Sequence, residues 1–259
     1  MAKIPKNHPR YQSLQERHRI IDGMHQQIVA EAGLIAHGRG EAFDYILGEK
    51  TPAYALAQER AAVALFLLAE YPVLSINGNT AILCPKAIVK FAKTIDAKLE
   101  VNLFYRTQQR EENIKKLLVD AGAQEILGVS LGESAIEIEE ITHQRRILDP
   151  EGIYIADVVF VPLEDGDRTM ALRKMDKKVV TVDLNPLSRT SVWSSVTIVN
   201  HVRRAVNEMV GIAQELKKES QKTLKNIIKG YDNNAMLQKS VTYMANRLAT
   251  LGKKRLQEG

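Results

Sequence analysis

The chain has little cysteine, few aromatic residues and no long apolar run, and each shortage excludes a class of protein. Its single cysteine, Cys84, cannot form a disulfide within the chain, and no metal-ligand spacing surrounds it. The neighbouring Ala81, Ile82 and Leu83 favour a buried thiol that packs as a small apolar side chain over a reactive one. No apolar stretch approaches the ~20 residues of a membrane helix, and the first residues lack the apolar core of a signal peptide. We therefore expect a cytoplasmic protein without membrane contact.

Positive charge is confined to the C-terminal end of the chain. The net charge is +5, but residues 215–259 alone carry ten lysines and arginines against four acidic residues, so the first 214 residues sum to −1. Aromatic residues make up 5% of the chain, and no aromatic RNA-binding motif occurs. We therefore expect no nucleic-acid partner, and an RNA-binding tail is only a weak alternative.

The basic tail also has an apolar side. Five residues are spaced four, three, four and three apart, which places them on one helix face: Leu237, Val241, Met244, Leu248 and Leu251. Two heptads are too short for an independent coiled coil, so this seam is expected to pack on the body or on a second subunit. None of the motifs discussed below reaches the tail. We expect it to be dispensable for chemistry but required for assembly or stability.

The middle of the chain alternates strands and helices, which indicates a parallel sheet covered on both faces. The pattern predicts strands at 71–76, 99–104, 125–129, 157–163, 179–183 and 196–199, and helices at 85–95, 107–121, 168–175 and from 202 onward. Residues 130–150 are acidic and show no regular pattern. We predict an α/β fold with a Rossmann-like, mainly parallel sheet over residues 71–214. A helical segment (residues 1–70) precedes this core as part of the main domain, and a basic helical extension (residues 215–259) follows it.

The N-terminal segment is predicted to hold two helices and a loop. Ser13 and Glu16 have the capping-box spacing that starts a helix. Three glycines in the eight residues Gly33–Gly40 argue against continuous helix and predict a glycine-rich substrate or ATP loop. Thr51-Pro52 reads as the N-cap and first turn of a long apolar helix.

Polar residues cluster where the predicted strands end, which is where ligands bind in open parallel sheets. The segments suited to phosphate, ribose or carboxylate are Asn77-Gly78-Asn79, Tyr105-Arg106-Thr107, Asp165-Gly166-Asp167-Arg168-Thr169, Asp183 to Thr190, and Asn200-His201. Each has a structural alternative. Asn-Gly-Asn is an ordinary turn signal, and Asp165 and Asp167 could cap a helix as well as bind Mg²⁺. His37, beside a glycine, is as often structural as catalytic.

Familiar nucleotide motifs do not occur. There is no G-x-x-x-x-G-K-[ST] phosphate loop and no G-x-G-x-x-G fingerprint, since Phe43 stands where a third glycine would follow Gly38 and Gly40. The residues alone therefore indicate a doubly wound α/β protein with a site for an anionic ligand and no standard phosphate loop.

Six strings of residues, in order along the chain, resemble the archaeal phosphopantothenate synthetases, also called 4-phosphopantoate–β-alanine ligases. They are I-P-K-x-H-P-R-Y from Ile4, G-L-I-A-H-G-R-G-E-A-F-D-Y from Gly33, V-N-L-F-Y-R-T from Val101, P-E-G-I-Y from Pro150, V-P-L-E-D-G-D-R-T from Val161, and D-L-N-P-L-S-R-T from Asp183. The resemblance runs from about residue 4 to about residue 212, and the tail lies outside it as a candidate lineage-specific extension.

The resemblance implies a homodimer that uses ATP and Mg²⁺ in coenzyme A biosynthesis. The implied reaction condenses (R)-4-phosphopantoate with β-alanine to 4′-phosphopantothenate through a phosphopantoyl-adenylate, releasing AMP and diphosphate. The implied ATP contacts are Arg17, Arg39, Asp183, Leu184, Asn185, Arg189, Thr190, Asn200 and His201. At the last two positions the family pattern has an acidic residue followed by asparagine, so this chain departs from it.

Further site residues are candidates beside the implied ATP contacts. Asn77, Asn79 and Arg106 are candidate substrate contacts, and His37 is the catalytic candidate. No protein ligand is assigned to Mg²⁺, which is expected with ATP. Two other functions stay open: an ADP-forming ligase with an acyl-phosphate intermediate, and a non-catalytic nucleotide-binding regulator. The first alternative would release ADP instead of AMP and diphosphate, and the second would form no amide product.

Overall fold

Five parallel strands form the central sheet. In this computed structural model, which describes residues 4–163 and 165–257 with side chains to residue 253, the strands are β1 (Pro72–Ile76), β2 (Lys98–Val101), β5 (Val158–Pro162), β6 (Lys178–Val182) and β7 (Val196–Ile198). Their spatial order is β2-β1-β5-β6-β7, and each neighbouring pair is parallel. A separate antiparallel pair joins β3 (Ile136–Glu137) to β4 (Ile147–Leu148). The predicted α/β class with a mainly parallel sheet is confirmed.

Helices surround this sheet. Within the described part of the chain they are α1 (Tyr11–His25), α2 (Glu31–Leu47), α3 (Ala53–Leu67), α4 (Gly78–Leu83), α5 (Pro85–Ile95), α6 (Gln108–Asp120), α7 (Gly166–Lys174), α8 (Arg189–Trp193), α9 (Val202–Leu216), α10 (Gln221–Lys229) and α11 (Asn233–Gln257). The predicted helix at 85–95 is confirmed at both ends. Thr107 caps α6 as predicted, since its side chain accepts a hydrogen bond from the backbone amide of Arg110.

Both faces of the sheet are buried, because successive side chains of a strand point to opposite sides. On β5, Phe160 packs into the larger apolar cluster, formed with α3, α5, α6 and α9, whereas Val159 and Val161 pack into a second cluster on the other face. All residues of β1 and β5 are buried. Such near-continuous apolar runs are typical of parallel strands covered on both sides.

The glycine-rich stretch is helical, so its prediction as a loop was wrong. Gly33 to Gly40 lie within α2. Glycine costs a helix roughly 0.5–1 kcal/mol relative to alanine, but here a side chain would obstruct packing. A Cβ atom on Gly33 would stand 2.5 Å from Oδ1 of Asn79. The glycine therefore allows a helix, rather than a loop, to lie close against the turn that follows β1.

The N-terminal ends of two helices differ from prediction. Helix α1 begins at Tyr11, and Ser13 lies in its first turn, where its hydroxyl donates to a backbone carbonyl and does not cap the helix. Pro52 is the N-cap residue of α3. Thr51 instead donates its hydroxyl to Glu208 at 2.7 Å. Ser13 and Thr51 both have a hydroxyl suited to capping, but neither hydroxyl caps a helix. The hydroxyl of Ser13 donates to the carbonyl of Arg10, and that of Thr51 donates to Glu208.

Two elements of the sheet region also differ from prediction. The strand predicted at 125–129 is reduced to a single bridge between Glu100 and Leu127. The short helix α4 was not predicted, because Asn77-Gly78-Asn79 reads locally as a turn. Asn77 is in fact its N-cap, and its side chain accepts from the amide of Thr80.

The C-terminal helices pack against the body. Leu224 of α10 belongs to the main core cluster, and Leu237 and Met244 of α11 pack with Leu47 and Leu184. Leu248, on the same predicted seam, is 49% exposed. The helical tail is confirmed, and the first part of its seam has its apolar partner within the same chain.

The single cysteine is buried, and the long apolar run that a membrane helix needs does not occur in the described residues. Burial raises the pKa of the Cys84 thiol to about 12, so the predicted buried, unreactive thiol is confirmed. In the described ranges, no helix is both long and apolar enough to cross a membrane.

Candidate active site

A cavity of about 550 Å³ lies beyond the carboxyl ends of β1, β5 and β6, where parallel sheets bind ligands. Its walls come from α2, the turn after β1, the segment after β2, the start of α7 and the segment after β6. Eight of the residues proposed from the sequence line it: His37, Arg39, Asn77, Asn79, Asp183, Leu184, Asn185 and His201. The fold thus gathers most of the candidates around one volume that suits small molecules.

The turn after β1 fixes one wall of the cavity. Asn77 donates its side-chain amide to the carbonyl of Pro162, at the end of β5, at 3.0 Å. Asn79 donates its amide to the carbonyl of Gly33 in α2 at 2.8 Å. Both asparagines are buried. Their amide nitrogens therefore hold β1, β5 and α2 together, and the side-chain oxygen of Asn77 is also engaged, by the amide of Thr80.

The segment after β6 forms the opposite wall and is held rigidly. The carboxylate of Asp183 accepts from the amide of Asn185 at 2.9 Å and from the hydroxyl of Ser188 at 2.5 Å. Ser188 in turn caps α8 by accepting from the amide of Ser191 at 3.0 Å. Because Asp183 and Asn185 are fixed by these bonds, they can present backbone and side-chain groups to a ligand without reordering.

Three predicted ATP contacts lie at the margin of the cavity. Arg17 donates to Glu41, which lines the cavity, at 2.8 Å. The exposed Arg189 pairs with Asp167, another lining residue, at 2.7 Å. Thr190 is fully buried. Its hydroxyl oxygen accepts from the amide of Asp165 at 2.8 Å, so it supports the wall from behind.

Two histidines face each other across the inner wall. The rings of His37 and His201 lie edge to face with centroids 6.5 Å apart. Burial lowers the pKa of both, so both are neutral at pH 7. His201 Nδ1 accepts from the amide of Arg203, and Nε2 lies 3.3 Å from a carboxylate oxygen of Glu16. His201 is therefore occupied on both nitrogens, whereas Nε2 of His37 is buried without a hydrogen-bond partner among the described residues.

Asn200 lies behind the wall rather than in it. It is fully buried, and its side-chain oxygen accepts from the amide of His201 at 2.8 Å. Its amide nitrogen donates to Glu59 at 2.9 Å and approaches Glu208 at 3.2 Å. Asn200 therefore positions His201. Its amide nitrogen also lies 3.1 Å from the hydroxyl of Thr51, so Asn200 belongs to a buried polar network with Thr51, Glu59 and Glu208.

Replacing Glu59 with glutamine is expected to stabilise the protein at alkaline pH. Burial raises the pKa of Glu59 to about 9, and the hydrogen bond from Asn200 only partly offsets the effect. The unfolded chain ionises this group near 4.5. As pH rises from about 4.5 to about 9, the unfolded state therefore loses a proton that the folded state keeps. Wild-type stability should fall by up to about 1.4 kcal/mol per pH unit through this group.

Urea titrations at several pH values between 5 and 9 measure this effect. The free energy of unfolding should decline less steeply for Glu59→Gln than for wild type. Glu125→Gln is the matched control, because Glu125 is an exposed partner of Lys98. Parallel stability curves for Glu59→Gln and wild type would show that Glu59 is ionised in the folded protein.

The structure places two arginines in the cavity that the sequence did not single out, and it places Arg106 outside. Arg106 pairs with Glu111 at 3.0 Å, with 10% of its side chain exposed, and it does not line the cavity, so its prediction as a direct substrate contact does not fit this geometry. Arg110, one helical turn further on, and Arg145 line the cavity instead. The helix spacing after Thr107 could have indicated Arg110. Arg145 lies in the region 130–150, which has no readable pattern.

Asp165 is tied to these cations. It caps α7 by accepting from the amide of Arg168, which confirms its capping role, and it forms ion pairs with Arg145 and with the side chain of Arg168. Burial alone would raise the pKa of Asp165, but the charges of Arg168 and Arg145 outweigh it and hold the pKa below its usual value. The carboxylate is therefore ionised and already paired.

Arg168 joins the strands beneath the cavity. It is wholly buried and donates to Ser75 on β1 and to Asn102 after β2, both at 2.8 Å.

Among the residues that the structure describes, no group of three histidine, cysteine or acidic side chains could hold a metal ion.

Comparisons with known proteins bear on the whole chain. A family model described as phosphopantothenate/pantothenate synthetase matches residues 54–247. The chain is 50% identical over 252 residues to a protein of Thermococcus kodakarensis named 4-phosphopantoate–beta-alanine ligase, covering 97% of this chain and 95% of that protein. Proteins of the same name from Thermococcus onnurineus (97% of this chain, 95% of that protein) and Methanosarcina mazei (97% and 98%) are 49% and 47% identical. These alignments extend into α11, so the tail is shared and is not a lineage-specific extension.

Proposed function

Because the chain belongs to the phosphopantothenate/pantothenate synthetase family, we propose that it is a ligase that condenses 4-phosphopantoate with β-alanine to 4′-phosphopantothenate. The observation that carries the proposal is the 50% identity, over 97% of this chain, to a protein named for that reaction. The reaction forms an amide bond and belongs to coenzyme A biosynthesis. The cavity beyond the strand ends has three arginines, four carboxylates and several neutral polar groups in its walls, and the arginines suit the anionic substrates.

The reaction requires activation of a carboxylate, because its oxygen is a poor leaving group at neutral pH. We infer that a carboxylate oxygen of 4-phosphopantoate bonds to the α-phosphorus of ATP and that diphosphate leaves. The β-alanine amine then bonds to the acyl carbon, and the bond to AMP breaks. Positioning and stabilisation of the developing charge account for most of the rate in such a mechanism.

The proposed ATP site lies at the α2 and β6 side of the cavity. Arg39, Asp183, Leu184, Asn185 and His201 would contact the nucleotide directly. The marginal residues Arg17, Arg189 and Thr190 would contact it or fix those that do, and Asn200 would act through His201. Arginine suits this role because its planar fork donates two parallel hydrogen bonds to phosphate oxygens.

Mg²⁺ fits this site only as a companion of ATP. Magnesium typically keeps several waters and is held by one or two carboxylates together with substrate phosphates. Asp165 is engaged by two arginines, whereas Asp167 lines the cavity and has one exposed ion-pair partner. Asp167 is therefore the carboxylate available to share the ion, which would neutralise charge on the phosphates.

His37 is the proposed proton acceptor for the second step. The ammonium group of β-alanine must lose a proton before or as it attacks. His37 lines the cavity and is neutral because burial lowers its pKa. A neutral imidazole can take up that proton.

A homodimer is the proposed assembly. Three large apolar side chains in or near α8 are exposed: Leu187 by 73%, Val192 by 53% and Trp193 by 44%. Exposed large apolar side chains grouped in one short segment are candidates for an interaction site. It lies next to the segment that follows β6, so self-association through this face would border the proposed ATP site.

The purified protein should form one AMP for each 4′-phosphopantothenate when given 4-phosphopantoate, β-alanine and Mg-ATP. If the substrate carboxylate carries heavy oxygen, one labelled oxygen should appear in AMP, because the attacking oxygen leaves with it. Mass spectrometry reads both products. ADP and phosphate in place of AMP would establish the acyl-phosphate mechanism instead. Nucleotide binding without any amide product would identify a non-catalytic regulator.

A further inference from the structure

Helix α1 carries an acidic side chain on its buried face. The buried residues of this helix are Ser13, Glu16, Ile20 and Gly23, and their spacing of three, four and three places them on one side of it. Glutamate is rarely buried unless it is paired, yet Glu16 is only 4% exposed. The predicted capping box does not form, so the carboxylate of Glu16 is available for other partners.

The two carboxylate oxygens of Glu16 face different groups at the start of α9. Oε1 accepts from Nε of Arg203, and Oε2 lies 3.3 Å from Nε2 of His201. The arginine balances the charge of the buried carboxylate, which would be costly to bury alone. The second oxygen is therefore free to act on the histidine.

The other ring nitrogen of His201 shows where the ring proton lies. His201 is the N-cap residue of α9, and its Nδ1 accepts from the backbone amide of Arg203 at 3.3 Å. A ring nitrogen that accepts carries no hydrogen, so the proton of the neutral ring is on Nε2, the nitrogen that faces Glu16. The carboxylate thus favours the tautomer that the helix cap requires.

Charged groups of three helices surround this ring. Burial has the largest effect and lowers the pKa of His201. Glu16 of α1 and Asp44 of α2 oppose that effect, whereas Arg204 of α9 and His37 of α2 add to it. The ring is therefore neutral at pH 7. His201 lines the cavity and Glu16 does not, so Glu16 can influence a ligand there only through the histidine.

A neutral ring held in this way suits an uncharged part of a ligand. Both nitrogens of His201 are directed at protein groups, so the ring offers carbon atoms to the cavity rather than a donor for phosphate. In the proposed nucleotide site, the matching parts of ATP are its base and ribose. Histidine rings pack against nucleotide bases in other proteins.

We propose that Glu16 is a positioning residue for ATP: it fixes His201 in the tautomer with its proton on Nε2 and so holds the ring against the adenosine part of the nucleotide. The inference rests on the proposed ligase function with ATP as its nucleotide. Asn200 accepts from the backbone amide of His201. The two side chains therefore fix different parts of one residue, Glu16 the ring and Asn200 the main chain.

Long-range proton–nitrogen NMR spectra of wild-type protein, labelled in its histidine nitrogens, test the tautomer directly. The chain has six histidines, and the signals of His201 are those that disappear in His201→Asn. Wild type should carry a proton on Nε2 of His201 and none on Nδ1, and Mg-ATP should shift these signals without changing that pattern. A proton on Nδ1, or signals that ignore saturating Mg-ATP in protein that forms the amide, would overturn the proposal.

Glu16→Gln should reverse the tautomer. Arginine can only donate, so the amide oxygen should remain with Arg203 and the amide nitrogen should face His201, which moves the ring proton to Nδ1. KM for ATP should rise roughly tenfold, as when the outer partner of a ligand-binding histidine is lost. The value of kcat should change by less than about threefold, because the lost interaction is made equally in the ground state. Glu16→Asp keeps two carboxylate oxygens and should recover part of the affinity for ATP.

Asp44→Asn is the matched control. Asp44 is also 4% exposed, and it ties α2 to Arg204 in the same turn of α9. The change should lower the melting temperature, as Glu16→Gln does. It should leave the tautomer of His201 unchanged and KM for ATP within about threefold of wild type, because its ion-pair partner is not the histidine.

AMP and diphosphate distinguish which part of the nucleotide is affected. In Glu16→Gln the inhibition constant of AMP should rise together with KM for ATP, whereas that of diphosphate should stay near wild type. Equal losses for AMP and diphosphate, or equal losses in Glu16→Gln and Asp44→Asn, would overturn the proposal. Absence of any amide product from wild type would refute the proposed function. Amide formation with the same His201 tautomer in wild type and Glu16→Gln would refute only the role of Glu16.

Discussion

Replacing Arg39 with alanine is expected to lower kcat for amide formation by about 10²- to 10³-fold, the range seen when one donor that stabilises developing negative charge is removed. Arg39 lies on α2 and lines the cavity on the proposed nucleotide side. Alanine is the best helix former, and Arg39 is exposed, so the fold should survive the change. Initial rates of AMP release, measured with thermal denaturation of the same samples, separate loss of chemistry from loss of structure.

Lysine at position 39 should restore only part of the lost activity, because a point charge does not reproduce two parallel donors. Arg60→Ala is the control for removal of an exposed cation, since Arg60 pairs with Glu215 away from the cavity. Full activity in Arg39→Ala with an unchanged melting temperature would place Arg39 outside the nucleotide site. Arg189→Ala, which also frees Asp167, should show a loss in the same direction.

The sequence predicts the sheet well because buried parallel strands are short, apolar and bounded by turn residues. Strands β1, β2, β5 and β6 each begin one residue away from the predicted position, and β7 begins at the predicted residue. Helix α2 could not be predicted in this way. Local propensity disfavours a helix at each glycine. Glycine is favoured at position 33 because Asn79 lies close to it, and this is a tertiary contact that local sequence does not reveal.

The residues of the candidate site also differ in whether local sequence or only tertiary structure places them. Asp183, Asn185 and His201 follow strands directly, so the rule that ligands bind beyond the carboxyl ends of strands indicates them. Arg145 comes from an irregular segment, and only folding brings it to Asp165. Arg106 and Arg110 are four residues apart on the same helix start, and sequence alone does not tell which one pairs with Glu111 and which one faces the cavity.

Removal of the chain after Lys217 is expected to prevent folding, in contrast to the expectation from sequence that the tail is dispensable for chemistry. The removed helices contribute Leu224 to the main core and Leu237 and Met244 to a cluster with Leu184. Asn233 also accepts from the amide of Thr197 at 2.8 Å and donates to the carbonyl of Ser191. Loss of a single buried leucine or methionine costs about 2–5 kcal/mol, so loss of the tail rivals the whole ~5–15 kcal/mol stability of a typical protein.

Point variants on α11 measure the same effect without removing the helix. Leu237→Ala should lower the free energy of unfolding by about 2–5 kcal/mol and raise KM for ATP, because Leu237 packs in the same cluster as Leu184 of the proposed nucleotide site. Leu248→Ala is the matched control: the same substitution on the same helix, at a side chain that is 49% exposed, should cost less than about 1 kcal/mol. Denaturant unfolding and ATP titrations of both variants provide the comparison. If the truncated chain folded and kept wild-type turnover, or if the two leucine variants were equally stable, the tail would not support the nucleotide wall, and its seam would have to serve another copy of the chain.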